Sequence, residues 1–255
     1  MGILHEALTA NQKVAAGYIP DYDFHEIFGS NGDVDAATAA EDLWCNGGNY
    51  TGFPTGSAET LDLFSDAAAD AAAGTGLRTV RVYGLDANYD EQILDVSLNG
   101  VTHVTTTGYT WSRVDLVHGL TAGSGGVNAG TITVQHTTTT ANVFTSLLPG
   151  YCTSFCAVKT IPARQVGIIS RVHVTISNGA ASNQEATVAI RTREYGTGCW
   201  RTHAPLIAST STGASDDLTG GIVVPAKTDI TIRILTATAD GLQVTGRFDL
   251  MEFPA

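Results

Sequence analysis

The sequence has 255 residues, of which 43% are hydrophobic and only 15% are charged, and its formal net charge is −12. Such acidity repels phosphate backbones, so we expect no direct contact with nucleic acid. No apolar run is long enough to span a membrane and no charged-then-apolar leader opens the chain, so we expect no membrane contact either.

The first 45 residues differ from the rest and predict an N-terminal arm. Residues 4–12 could form one or two helical turns, which Gly17 and Pro20 would end. The stretch 18–28 is rich in aromatic side chains but has no clean period, so it packs either into the protein's own core or onto a neighbouring subunit. The candidate contact residues of this arm are Tyr18, Tyr22, Phe24, Phe28 and Trp44.

The strongest local pattern lies at residues 93–106. Leu94, Val96 and Leu98 alternate with polar neighbours, which is the period of a strand with one buried face. Asn99-Gly100 follows at once, and both residues tolerate the positive φ of a two-residue type I′ turn. The pattern therefore predicts a hairpin whose return strand covers residues 101–106.

Other alternating segments predict further strands, and glycine, asparagine and serine between them favour turns. These strands fall at residues 57–64, 78–83, 109–117 with a bulge near Val114, 131–134, 166–176, 187–191, 230–234 and 244–250, with a loop at 196–208. The spacing is typical of β-sandwiches and jelly rolls. We therefore predict an all-β protein with antiparallel sandwich domains, namely an arm at 1–45, a β-sandwich-like domain at 46–145 and a second, jelly-roll-like sandwich at 146–255.

The four cysteines do not suggest a disulfide framework in a chain of this size, and reduced thiols are the default. Cys152 and Cys156 have a spacing that zinc sites allow, and only Cys199 with His203 could complete four ligands. The alternative is free cysteines that behave as small hydrophobic groups in a β core. We favour the second interpretation and expect no metal.

No stretch declares catalytic chemistry. Gly74-Thr75-Gly76 begins like a dinucleotide fingerprint, but Thr79 replaces the third glycine and a strand, not a helix, follows. The histidines are scattered, and no nucleophile elbow is present. We expect no catalytic residues, no cofactor and no enzymatic activity.

Several turns and strand starts together resemble the virion structural proteins of tailed bacteriophages, especially marine and cyanobacterial phages. These segments are Phe28–Asn31, Asp33–Asp35, Glu41–Trp44, Gly47–Thr51, Gly74–Val80, Gly84–Asp86, Leu98–Thr102, Ala122–Ile132, Ile161–Ala163 and Lys227–Ile230. The resemblance covers most of the chain from about residue 24. It brings no catalytic residues with it.

The resemblance implies a capsid decoration, or cement, protein. Such a protein would bind the major capsid protein on the head surface as a homo-oligomer, a trimer, after assembly in the host cytoplasm. The aromatic arm would carry the contacts, and many symmetric copies would gain affinity through multivalency. The alternative is a tail, neck or head-fibre component whose loop at 196–208, with Trp200, binds a host glycan by aromatic stacking.

Overall fold

The computed structural model describes residues 8–37, 40–177 and 183–255, which contain one short helix and sixteen strands. Every strand pairing is antiparallel. The elements are α1 (Ala10–Ala15), β1 (Asp23–Val34), β2 (Glu41–Asp42), β3 (Leu61–Ser65), β4 (Leu77–Leu85), β5 (Glu91–Ser97), β6 (Val104–Thr105), β7 (Arg113–Ala122), β8 (Ile132–His136), β9 (Val143–Leu147), β10 (Val158–Thr160), β11 (Gln165–Ser177), β12 (Glu185–Arg193), β13 (Arg201–Ser209), β14 (Ala214–Val224), β15 (Asp229–Ala237) and β16 (Leu242–Pro254). The all-β prediction is confirmed. No helix within these ranges has the length and hydropathy to cross a bilayer.

The short helix α1 has a local cause. The Thr9 hydroxyl accepts from the Gln12 backbone N–H, and the Gln12 side chain accepts from the Thr9 N–H, which is a capping box. Gly17, at φ +72°, follows the end of the helix as predicted. Of the predicted helical stretch 4–12, residues 4–7 lie outside the described residues.

Two sheets form a sandwich that we call the terminal sandwich. Sheet I has the strand order β1-β16-β11-β14, and sheet II has the order β10-β15-β12-β13 with β2 also paired to β15. Their inner faces share one apolar core, with Val172 and Phe248 from sheet I against Val188 and Ile232 from sheet II. All four side chains are fully buried.

Two smaller sheets form the central sandwich. Sheet III has the order β6-β3-β8-β9, and sheet IV has the order β5-β4-β7. Leu61 and Val134 from sheet III pack in one core with Val80, Val96 and Val117 from sheet IV. This sandwich is built from one continuous segment of chain, whereas the terminal sandwich takes strands from both ends.

The structure differs from the predicted arm at residues 23–34. This segment is strand β1, and it pairs with β16 from Asp23 opposite Glu252 to Val34 opposite Leu242. Ile27 packs against the core of the terminal sandwich, so the apolar groups of the segment find their partner within the chain. Of the arm, β1 and β2 are therefore integral parts of the terminal sandwich.

The predicted hairpin at residues 93–106 is half right. Strand β5 is confirmed, as are the buried positions Val96 within it and Leu98 directly after it. The return strand is wrong, because β5 pairs with β4 in sheet IV while β6 pairs with β3 in sheet III. Gly100 has φ +60°, but its N–H donates to the Asp70 carbonyl, so the turn is held by a tertiary contact and leads from one sheet to the other.

Two further predictions are corrected in the terminal sandwich. Part of the predicted loop 196–208 is strand β13, which pairs with β12. In β11 a register shift lies between Ile169 and Arg171, so Ile168 faces outward although Val172 faces the core. The bulge predicted near Val114 is confirmed, since the register of β7 against β4 shifts there.

Candidate functional site

The predicted contact residues fall into two environments. Phe24 and Phe28 alternate with the inward Ile27 on β1, so both lie on the outer face of sheet I. Tyr18, Tyr22 and Phe28 are exposed, whereas Phe24 is half-buried. Trp44 is only 4% exposed, and its indole N–H donates to a backbone carbonyl. It therefore belongs to the core between the sandwiches and not to a contact surface, because a neighbouring subunit could not reach it.

The outer face of sheet I carries an apolar row that crosses all four strands. Phe24 lies opposite Met251, Met251 lies opposite Ile168, and Ile168 lies opposite Val223. Val223 is 64% exposed. Tyr22 extends the row's aromatic end, since its ring stacks on Phe253 at 5.4 Å between centroids. We call Phe24, Met251, Ile168 and Val223 the sheet I row.

A second row, of charged side chains of both signs, lies beside the sheet I row on the same face of the sheet. Arg171 Nε lies 2.6 Å from Asp217 Oδ1, and Arg247 forms an ion pair with Glu26. The register places Glu26, Asp249, Arg171 and Asp217 side by side across the sheet. An apolar row bordered by exposed charges is the composition of a protein-contact surface with a polar rim.

Buried ion pairs join the two sandwiches. Arg113 on β7 is 4% exposed, and its guanidinium donates to both carboxylate oxygens of Asp229 on β15, at 2.8 and 3.1 Å. Asp229, 3% exposed, also accepts from the Thr160 hydroxyl at 2.7 Å and from Arg193 at 2.6 Å. Each buried charge thus has several partners, as burial of charge requires.

A second buried group bridges the same junction. Lys159 on β10 donates to Asp115 on β7 at 2.9 Å and lies 3.8 Å from Glu252 on β16. Burial alone would lower the pKa of Lys159, but the two carboxylates raise it above its ordinary value. Burial raises the pKa of Asp115, whereas Lys159 and His25 outweigh burial and lower the pKa of Glu252. The lysine is therefore held as a cation between two strands of different sandwiches.

A cleft of about 610 Å³ opens beside the Arg113–Asp229 pair. Its lining includes Tyr89, Tyr195 and Lys227 as well as Arg113 and Arg193. The Lys227 ammonium lies 5.3 Å from the Tyr89 ring centroid and 5.2 Å from that of Tyr195. Cations held against aromatic faces are stabilised by the ring quadrupole. The volume lies in the range of small-molecule sites.

A smaller pocket of about 320 Å³ shares Arg193 with this cleft, and we call it the arginine pocket. It is lined by Asp42, Asn49, Tyr50, Phe53, Arg191, Arg193, Trp200 and Arg233. The guanidinium carbons of Arg191 and Arg193 lie 5.1 and 4.8 Å from the Trp200 ring centroid. Three arginines and one aspartate thus line one pocket of a strongly acidic chain.

The cysteines do not gather into the zinc set considered above. Cys156 lies with its Sγ 3.8 Å from that of Cys45, while Cys199 is exposed and His203 contacts Thr192. Among the residues that the structure describes, no group of three or more potential ligands could hold a metal ion. The hydrogen bond with Cys156 lowers the pKa of the Cys45 thiol to about 7, although burial opposes it.

Neither pocket was identified from the sequence, yet one signal was available. Arg191 and Arg193 are two positions apart on β12, so both project from the same face of the strand. Trp200 was noted as a glycan-contact candidate in a loop, and it lies in the loop that leads into β13. The positions of Arg113 and Asp229 carried no signal, because their pairing spans 116 residues.

Comparisons with known proteins do not identify a family for this chain. No protein-family model matches the chain, and no curated protein matches it. Among solved structures, the chain is similar to one from the infectious bursal disease virus particle, with 12% identity, a TM-score of 0.27 and coverage of 92% of this chain and 72% of that one.

Two other structures are similar at the same level. One is a chain of the empty virus-like particle of cowpea mosaic virus, with 6% identity, a TM-score of 0.22 and coverage of 76% and 80%. The other is the Cry4Aa toxin of Bacillus thuringiensis, with 8% identity, a TM-score of 0.24 and coverage of 71% and 42%. At these TM-scores the similarities support no argument about fold or function.

Proposed function

We propose that the chain is a virion structural protein of a tailed bacteriophage, and specifically a decoration protein on the outside of the head. It binds the major capsid protein as a homo-oligomer, a trimer, and stabilises the particle without catalysis. The resemblance of its turns and strand starts to phage virion proteins is the origin of this proposal. The outer face of sheet I is the observation that carries it.

The sheet I row has the properties that such a role requires. It lies on a sheet whose other face is fully packed, so the surface is rigid before it binds. Phe24 and Met251 supply aromatic and thioether groups, which are enriched in interface cores. Buried ion pairs at Asp229 and Lys159 fix the second sandwich to the first, so both would move as one unit on the capsid.

Virions that carry variant chains test the proposal. We expect Val223→Asp to remove the protein from purified heads, because it places a charge in the sheet I row. The matched control is Ile207→Asp on β13, since Ile207 is 67% exposed but lies on the other sheet. Equal occupancy of heads by both variants, measured by mass spectrometry, would contradict the role of the sheet I row.

A deletion that tests the arm must leave β1 intact. Removal of residues 1–30 would destroy most of β1 and expose the edge of β16, so loss of binding would say nothing about the arm. Removal of residues 1–20 leaves β1 intact. Because it also removes the buried Val14 of α1, we expect a small decrease in melting temperature together with weaker head binding. Full occupancy by the folded variant would show that the arm before β1 makes no contact with the head.

One observation favours the alternative function. The pockets beside Trp200 and Tyr195 offer aromatic rings and cations at the surface, which suits a glycan-binding component of the tail, neck or head fibres. Copy number separates the two roles. A count that scales with the number of capsid subunits supports decoration, whereas a count set by a single vertex supports the alternative. Cryo-electron microscopy of the virion provides this count.

A further inference from the structure

The arginine pocket has more cationic groups than its own carboxylates can pair. Arg193 forms an ion pair with Asp229 at 2.6 Å, and Arg233 forms one with Asp42 at 2.9 Å. Arg191 has no ion pair with any carboxylate that the structure describes. Burial, together with the neighbouring Arg233, lowers the pKa of Arg191. An anion beside Arg191 would relieve this repulsion.

Three buried polar atoms of residues lining this pocket lack a hydrogen-bond partner within the described parts of the chain. They are Arg191 Nε, the Tyr50 hydroxyl and Asp42 Oδ1. Unsatisfied buried polar groups cost free energy, and native structures contain few of them. The first is a donor, the second can donate or accept, and the third accepts only. These atoms have almost no accessible surface, so a ligand in the pocket would instead meet the terminal nitrogens of Arg191, which are not among the buried atoms and have no hydrogen-bond partner among the described residues. Those nitrogens donate and therefore call for an acceptor, which a carboxylate provides with both of its oxygens.

The remaining walls narrow the class of ligand further. Phe53 and Trp200 present their rings to the pocket with centroids 5.7 Å apart. Asn49 adds an amide that can donate and accept. Arg193 lines both the arginine pocket and the larger cleft, so a ligand with a further unit could extend from one into the other. Aromatic walls, a guanidinium and scattered polar atoms suit an oxygen-rich ring with a carboxylate.

We infer that the arginine pocket binds a sugar that bears a carboxylate, such as a uronic acid unit of an acidic glycan. The carboxylate accepts hydrogen bonds from the terminal nitrogens of Arg191, and a ring hydroxyl accepts from the Asn49 amide. Phe53 and Trp200 contact the apolar face of the ring. This site narrows the alternative function to acidic glycans and rests on no assumption about head decoration.

Calorimetric titration of the full chain tests the inference with four probes: glucuronate, glucose, acetate and a short glutamate-rich peptide. We expect saturable binding of glucuronate at millimolar concentration and binding at least about tenfold weaker for glucose and acetate, which each lack one half of the contact. Equal affinity for acetate and glucuronate would reduce the pocket to a simple anion site. Tighter binding of the peptide would identify a protein carboxylate as the ligand. Either result, or no binding of glucuronate, overturns the inference.

Variants locate the site. Arg191→Met should weaken glucuronate binding about tenfold or more, and Arg191→Lys should weaken it less, since lysine keeps the charge but loses the bidentate geometry. Arg171→Met is the matched control, because Arg171 is an exposed arginine on the outer face of sheet I. Loss of binding in the control, or unchanged binding in Arg191→Met with a native melting curve, places any binding elsewhere. Head occupancy is measured separately, so failure here leaves the decoration proposal standing.

Discussion

Neutralising the buried carboxylate of Asp229 should strongly destabilise the protein. Asp229→Asn keeps the shape of the side chain but removes the charge that compensates Arg113, which is itself buried. The new amide also turns N–H groups toward guanidinium donors, so at least one of the contacts at 2.6 to 3.1 Å is lost. The variant leaves an uncompensated cation between the two sandwiches.

The expected magnitude follows from burial. Breaking one partner out of a buried ion pair costs about 3–5 kcal/mol. For a chain of this size each kcal/mol lowers the melting temperature by about 2–4 °C, so we expect a decrease of roughly 6–20 °C. The control is Asp217→Asn, which removes an exposed partner of Arg171 and should cost about 0–1 kcal/mol.

Urea unfolding followed by tryptophan fluorescence measures both variants. A loss below about 1 kcal/mol for Asp229→Asn would refute the reasoning, because it would mean that water or another group replaces the carboxylate at no cost. A second comparison is independent of the first. If an uncompensated cation is the cause, adding Arg113→Met to Asp229→Asn should restore part of the stability; a further loss would contradict that cause.

Three further outcomes are expected. Alkylation of Cys45 by iodoacetamide should reach half its maximal rate near pH 7, the value set by its hydrogen bond with Cys156, and Cys156→Ala should move that midpoint to higher pH. Gly29→Ala should lower stability by about 1–3 kcal/mol or more in chemical denaturation, because an added Cβ would overlap backbone next to β2 and β10; wild-type stability would contradict this packing. Although burial opposes it, hydrogen bonds from Thr105 and other groups lower the pKa of Asp62. The stabilisation that the Asp62 carboxylate provides is therefore complete above the pKa of the unfolded chain and is lost as the pH falls below about 4. Asp62→Asn should make the melting temperature less dependent on pH in this acidic range.

Much of the fold could be predicted because most strands have one buried face. The alternation at Val80 and Val82, at Ile230 to Ile234 and at Val244 to Leu250 marks true strands with buried residues. Which strands pair with one another was harder to predict than where the strands lie. Asn99-Gly100 has the composition of a hairpin turn, but contacts with residues 65–70 determine where the chain goes next. No local pattern records such contacts.

The candidate site was harder to predict, for a physical reason. The arginine pocket draws on Asp42, Tyr50, Arg191 and Arg233, which four separate segments bring together. In an antiparallel sheet, positions far apart in sequence become neighbours through register, and register follows from the whole core. The aromatic residues of β1 could be recognised as a group, but whether they face a partner or the chain's own core depends on β16.

The pairing of β1 with β16 also determines when the protein can fold. Strand β16 begins at residue 242, more than 200 positions after β1 ends at residue 34. At about 5–20 residues per second, a ribosome needs roughly 10–40 s to complete that interval. The central sandwich, being contiguous, can form while the first strand still waits for the last. Synthesis interrupted before β16 therefore leaves sheet I without the strand that joins β1 to β11, and only chains translated through that point can complete the native fold.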